Sequence, residues 1–147
     1  MQKQILNRKA RFNYEILETI EAGLELTGTE IKSVRNGKAS LADSYARIKS
    51  GQAYLFNCEI SEYENAGYAH HIPKRPRRLL MHAREIDRLA GKIAEKGLTL
   101  VPLKMYFKRG WAKVELGLAR GKRLYDKRDA IKKRETAREV KRALSRR

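Results

Sequence analysis

Alternation of apolar and polar positions runs through most of the first 120 residues. From Phe12 to Leu26, the apolar residues Tyr14, Ile16, Ile20, Leu24 and Leu26 recur at mostly even spacing, which predicts one long strand buried on one face. The adjacent pair Ile16-Leu17 breaks the alternation and predicts a bulge or register change. Gly23 marks a sharp bend in the same strand. Tyr45 to Lys49 and Ala53 to Ile60 form a second pattern, a hairpin turning at Ser50-Gly51. Its Tyr54, Phe56, Cys58 and Ile60 are expected on the core side. Leu98 to Lys108 and Trp111 to Arg120 form a third, turning at Arg109-Gly110. There Val101, Leu103, Met105 and Phe107 are expected inside, and Lys104, Tyr106 and Lys108 outside.

Two stretches follow the helical period instead. Thr29 to Gly37 reads as a short helix with Thr29 as N-cap, Ile31 and Val34 on one face, and Gly37 in the left-handed position past its end. Glu30, Lys32, Arg35 and Lys38 are then expected to be exposed. Ala83 to Lys96 carries Ile86, Leu89, Ala90 and Ile93 at helical spacing and stops at Gly97, which predicts a helix covering one end of the sheet. About six strands, one bulged and bent, with a helix between later strands, predict a mainly β chain with short helices. The closest architecture is a closed β-barrel of the oligonucleotide-binding type.

Charge changes the picture most. The chain of 147 residues has 34 Lys and Arg against 17 Asp and Glu, a formal net charge of +17. Solubility needs far less, and such a field favours nucleic acid or an anionic membrane. From Gly121 onward there are 12 basic and 4 acidic residues, and past Tyr125 only scattered Ile131, Val140 and Leu144 among small residues. The chain therefore divides into a body, residues 1–120, and a basic tail, residues 121–147. Asp126 is a plausible N-cap, yet like charges crowd Lys132-Lys133-Arg134 and Lys141-Arg142. The tail is accordingly expected to be disordered when free and to become helical when phosphates neutralise it. A membrane-surface helix needs bulky residues along one face, so RNA is the better partner and no membrane contact is expected.

Candidate chemistry is sparse. Tyr125 lies among Lys122, Arg123, Lys127 and Arg128, which suits a base and its phosphates, or alternatively caps the body as a solvated helix start. Lys74-Arg75-Pro-Arg77-Arg78 closes a long loop and makes a second, weaker anion-binding candidate. Glu21 is unusual in so basic a chain, although on its own it reads first as a solvated strand carboxylate. Cys58 is the only cysteine, so no internal disulfide forms, which fits a reducing cytoplasm. It reads as a core thiol, and His70, His71 and His82 lack zinc-ligand spacing. The sequence has no long Gly-rich phosphate loop, nucleophile elbow or paired catalytic acids. No cofactor, metal or enzymatic activity is expected.

The joint order of several motifs resembles the SmpB family of bacterial SsrA-binding proteins, the partners of transfer-messenger RNA. The motifs are Asn7-Arg-Lys-Ala-Arg11, Glu21-Ala-Gly-Leu24, Gly28-Thr-Glu-Ile-Lys-Ser-Val-Arg-Asn-Gly-Lys38 and Asp43-Ser-Tyr45, then Arg78-Leu-Leu-Met-His82, Gly97-Leu-Thr-Leu-Val-Pro-Leu103, Gly117-Leu-Ala-Arg-Gly-Lys122 and Asp126-Lys-Arg128. The resemblance covers about Asn7 to the end of the tail. It implies a non-enzymatic, monomeric RNA-binding adaptor in the cytoplasm. Such a protein clasps the tRNA-like domain of transfer-messenger RNA, is delivered with elongation factor Tu, and rescues ribosomes stalled on messages without a stop codon. By position, the resemblance places Asn7, Arg8, Lys9, Glu21, Gly23, Leu80 and His82 on the surface for the tRNA-like domain. It places Gly121, Lys122, Arg123, Tyr125, Asp126, Lys127, Arg128, Ile131, Lys132, Lys133, Arg134, Arg138, Lys141, Arg142 and Leu144 in the decoding centre and empty mRNA channel of the small ribosomal subunit. His82 stands where some members have Asn, and Thr136 where some have an aromatic ring. A structural ribosomal RNA-binding protein is the second reading and an RNA-processing enzyme the third.

Overall fold

A computed structural model describes residues 4–63, 70–122, 134, 135 and 138. In chain order the elements are β1 (Ile5–Leu6), α1 (Ala10–Asn13), β2 (Tyr14–Leu24), α2 (Gly28–Arg35), β3 (Ala39–Ser40) and β4 (Tyr45–Lys49). They continue with β5 (Gln52–Phe56), β6 (Glu59–Ile60), β7 (Arg77–Leu80), α3 (Ala83–Lys96), β8 (Thr99–Lys108) and β9 (Trp111–Gly121). The main sheet runs β1-β8-β4-β5-β7-β2-β9, and β9 also pairs with β8. Six strands therefore close on themselves in a ring, all neighbours antiparallel, with β1 attached outside on β8. The mainly β character and the short helices match the sequence pattern.

The ring closes around a core that includes Leu55, Ile60, Leu79, Leu100, Met105, Val114, Leu116 and Leu118, with Val34 of α2 and Ile86 and Leu89 of α3. Fully burying side chains of this size stabilises the fold by about 1.5–3 kcal/mol each. Helix α3 has the bounds its periodicity predicts and ends at Gly97 in the left-handed conformation, φ 62°. Two-residue turns with positive φ at both positions, Ser50-Gly51 and Arg109-Gly110, close the two hairpins and set their register.

Strand β2 carries the expected irregularity: its pairing with β9 shifts between Ile16 and Glu18. Four expectations need correction. First, Ala10–Asn13 is a helical turn, so the strand begins at Tyr14. Second, the second hairpin strand stops at Phe56. Asn57 adopts φ 64° and flips the phase, so Ala53 and Leu55 point inward before it and Cys58 and Ile60 after it. Tyr54 and Phe56 are left half-exposed on the outer face. Third, a bulge in β8 between Pro102 and Lys104 sends Val101 and Leu103 away from the main core. They form a small second cluster with Ala10 and Ala119.

Fourth, α2 is capped by Thr27, not Thr29, and Glu30 is buried instead of exposed. Glu30 accepts the Thr27 backbone N–H at 2.8 Å and is gripped by Arg75 Nη2 and Arg77 Nε, both at 2.6 Å. Arg77, itself fully buried, also donates to the Cys58 carbonyl at 2.6 Å and the Pro73 carbonyl at 3.0 Å. Burial pushes the Glu30 carboxyl up, but the Arg75 and Thr27 donors and the Arg77 charge outweigh it and hold it below the usual range. Two of the four loop cations expected to face an anionic partner are thus spent on locking that loop and β7 to α2.

Candidate nucleic-acid interface

The outer face of β2, β9 and β8 is laid out in rows by register. Glu21 lies opposite Glu115, which pairs with Lys104. Gly23 lies opposite Lys113, which pairs with Tyr106, and Trp111 pairs with Lys108. Across the β2–β7 pair, Gly23 lies opposite Leu80, and a Cβ on Gly23 would come within 3.1 Å of the Leu80 Cβ. Glycine there lets β7 approach closely and presents Leu80 with 44% of its surface exposed. His82 follows as the exposed N-cap position of α3.

Glu21, Gly23, Leu80 and His82 converge on one open cleft of about 650 Å³, completed by Glu18, Thr19, Ile20, Met81, Glu85 and Lys113. Its acids are held by donors around the rim. Arg88 at 2.7 Å and Lys92 at 3.0 Å grip Glu18 and lower its pKa to about 2. The Tyr106 hydroxyl donates to Glu21 Oε2, and Lys108 Nζ lies 3.5 Å from Oε1. Those contacts, the Tyr106 hydrogen bond foremost, hold the Glu21 carboxyl below its ordinary range. Burial and the same hydrogen bond raise the Tyr106 phenol. Glu21 is therefore a fixed, ionised acceptor beside cations. That pairing suits a polymer offering amino, imino or 2′-hydroxyl donors and phosphates together. The Tyr106 hydroxyl is thus engaged, and Lys104 lies 5.3 Å over its ring.

The other candidates sit elsewhere. Asn7 is tied to β8, its amide donating to the Pro102 carbonyl at 2.8 Å and its backbone N–H to the Leu103 carbonyl at 2.9 Å. Asn7 and Lys9 line a separate hollow with Asn13, Tyr14, Asp43 and Tyr45, which shares no residue with the Glu21 cleft. Arg8 and Lys9 are exposed. Tyr14 and Gly23 lie at opposite ends of β2, so the seven residues assigned to one surface fall into two groups. Gly121 pairs with Tyr14, and Lys122 donates its backbone N–H to the Asn13 carbonyl and its ammonium to the Arg11 carbonyl, both at 3.0 Å. Lys122 is thus held on the Asn7 side.

In the tail, Arg134 and Arg138 are helical and exposed, and the Arg134 guanidinium lies 5.3 Å over the Phe12 ring. Arg123, Tyr125, Asp126, Lys127, Arg128, Ile131, Lys132, Lys133, Lys141, Arg142 and Leu144 lie outside the described residues. Sequence reasoning missed Tyr106 as the partner of Glu21. The two are 85 residues apart and meet only through β9 between them.

Ring, cleft and charge together define a small basic β protein built on a closed ring of strands. The chain belongs to the SmpB protein family, whose model matches residues 4–146. Among its relatives, an SsrA-binding protein of Desulforudis audaxviator is 63% identical, covering 93% of this chain and 90% of that protein. One from Gloeothece citriformis is 57% identical, covering 95% and 91%. A solved chain described as "tmRNA-SmpB: a journey to the center of the bacterial ribosome" is 54% identical, with a TM-score of 0.69. It covers 87% of this chain and 94% of that one.

Proposed function

We propose that this chain is an SsrA-binding protein that binds transfer-messenger RNA and serves as a rescue adaptor on stalled ribosomes. The observation that carries the reading is the cleft, where Glu21, Leu80 and His82 converge on a ring-shaped body of family membership and net charge +17. In this reading the cleft receives the tRNA-like domain. Glu21 accepts from base or sugar donors, Leu80 packs on an unstacked base, and His82 stacks or donates to phosphate. Arg8 and Lys9 hold phosphates at the opposite end, and Asn7 fixes the segment that carries them. The tail, from Gly121 and Lys122 through Tyr125 to Leu144, enters the decoding centre and empty mRNA channel. The adaptor acts without catalytic residues, as a cytoplasmic monomer delivered together with elongation factor Tu.

The test is a titration of the full chain against the tRNA-like domain and a matched structured control RNA at two salt concentrations. Phosphate contacts weaken with salt for any RNA, so the ratio between the two RNAs carries the information. The expected result is a preference that survives higher salt and is lost in the double variant Glu21→Ala, His82→Ala, while nonspecific affinity remains. Equal binding that collapses with salt would instead favour a structural ribosomal protein.

A further inference from the structure

The tip of the β8–β9 hairpin carries a feature that the cleft does not use. Trp111 is 70% exposed, while its neighbours Ala112 and Val114 point into the core. Among the described residues no ring stacks on it and no cation lies over it. A large indole held in water contributes little to the fold, and indoles of this kind are frequent at binding surfaces. The turn that presents it is a tight two-residue one, with Arg109 at φ 52° and Gly110 at φ 80°. Trp111 therefore occupies a place set by strand register, not by a loose loop.

Its surroundings select the partner. Lys108 lies directly opposite, Arg109 is in the turn, and Lys113 is the next outward position on the same strand. Lys113 also lines the cleft. Trp111 and Lys113 are two residues apart on one face, about 7 Å along the strand. The ring thus continues the cleft's face outward, flanked by three cations. Such a tip repels basic proteins and suits an anionic chain with flat apolar faces. Paired RNA keeps its base faces stacked inside the helix, so the face on offer is that of an unpaired nucleotide.

We propose that the hairpin tip is an additional RNA contact, in which the Trp111 indole stacks on an unpaired base and Lys108, Arg109 and Lys113 hold the adjoining phosphates. This inference rests on the RNA-binding reading above and extends its surface beyond the Glu21 cleft. Trp111 is the chain's only tryptophan, so tryptophan emission, excited where tyrosine does not absorb, reports on it alone in the unmodified full-length protein.

The experiment follows that emission while titrating the tRNA-like domain, with its unpaired loops, and a fully paired RNA duplex of equal length. The expected result is quenching by the first RNA that saturates together with binding, and little quenching by the duplex. Trp111→Ala should lose roughly ten-fold in affinity for the looped RNA, and Trp111→Phe should keep most of it. Unchanged emission at saturation, equal quenching by the duplex, or an Ala variant that binds as wild type would each overturn the proposal. The wild-type emission decides even if the Ala variant does not fold. A chain that prefers the tRNA-like domain through Glu21 while Trp111 stays unquenched would defeat this inference alone. A chain without that preference would defeat the reading beneath it.

Discussion

Glu21 is one carboxylate in a chain dominated by cations, and its value as an acceptor depends on where its oxygens are held. The Tyr106 hydroxyl fixes one of them from two strands away, and Lys108 stands near the other. We expect Tyr106→Phe, which keeps the ring under Lys104, to weaken binding of the tRNA-like domain by roughly ten-fold, the weight of a hydrogen bond to a charged group. In a Glu21→Ala background the same change should cost nothing further, and carbon NMR of the Glu21 carboxyl should show it titrating at higher pH in the Phe variant. Lys108 and Lys113 still oppose that rise. Additive losses would mean that Tyr106 acts on its own. Glu21 stands out in the sequence as an acid among bases. Its partner does not, because a contact across three strands depends on register and on the bulge in β8, neither of which alternation alone reveals.

At the level of elements, α3 and the turns of the two hairpins were legible because helical period, turn residues and capping glycine agree; the inward faces of β5 and β8 were not. What local pattern misread is where long-range chemistry overrides it. By local spacing Glu30 belongs to an exposed charged face, yet two arginines more than forty residues later draw it into the interior. That lock joins α2 to the start of β7, the strand that ends in Leu80 at the cleft. Removing one partner from a buried ion pair strands the others, at about 3–5 kcal/mol. Glu30→Ala should therefore lower the denaturant-derived stability by about that amount, leaving Arg77 buried without its carboxylate. A loss under about 1 kcal/mol, typical of surface pairs, would show that the network is not stabilising in this way. The phase change at Asn57 was illegible for a similar reason: a single residue at positive φ reverses every later side chain.

Across the whole molecule, β2 separates two groups of candidate residues. The cleft with Glu21, Leu80 and His82 lies at its Gly23 end, while Arg8, Lys9 and the pinned Lys122 gather at its Tyr14 end. The excess of basic residues past Gly121 was legible in the sequence. The sorting of the candidate residues into two groups was not, because only the ring's closure places them. Under the proposed function, the body grips RNA at one end and sends the basic tail from the other, as an adaptor between two large partners does. The most direct measurement of that claim compares the full chain with a chain ending at Lys122, which keeps every described strand pairing of the body and loses the Arg134 contact to Phe12, in two assays. One is binding to the tRNA-like domain, and the other is peptidyl transfer on ribosomes stalled without a stop codon. The expected result is a shortened chain that keeps its preference for the tRNA-like domain and supports no transfer. Transfer at the full-length rate, or loss of the RNA preference with the tail, would contradict the account.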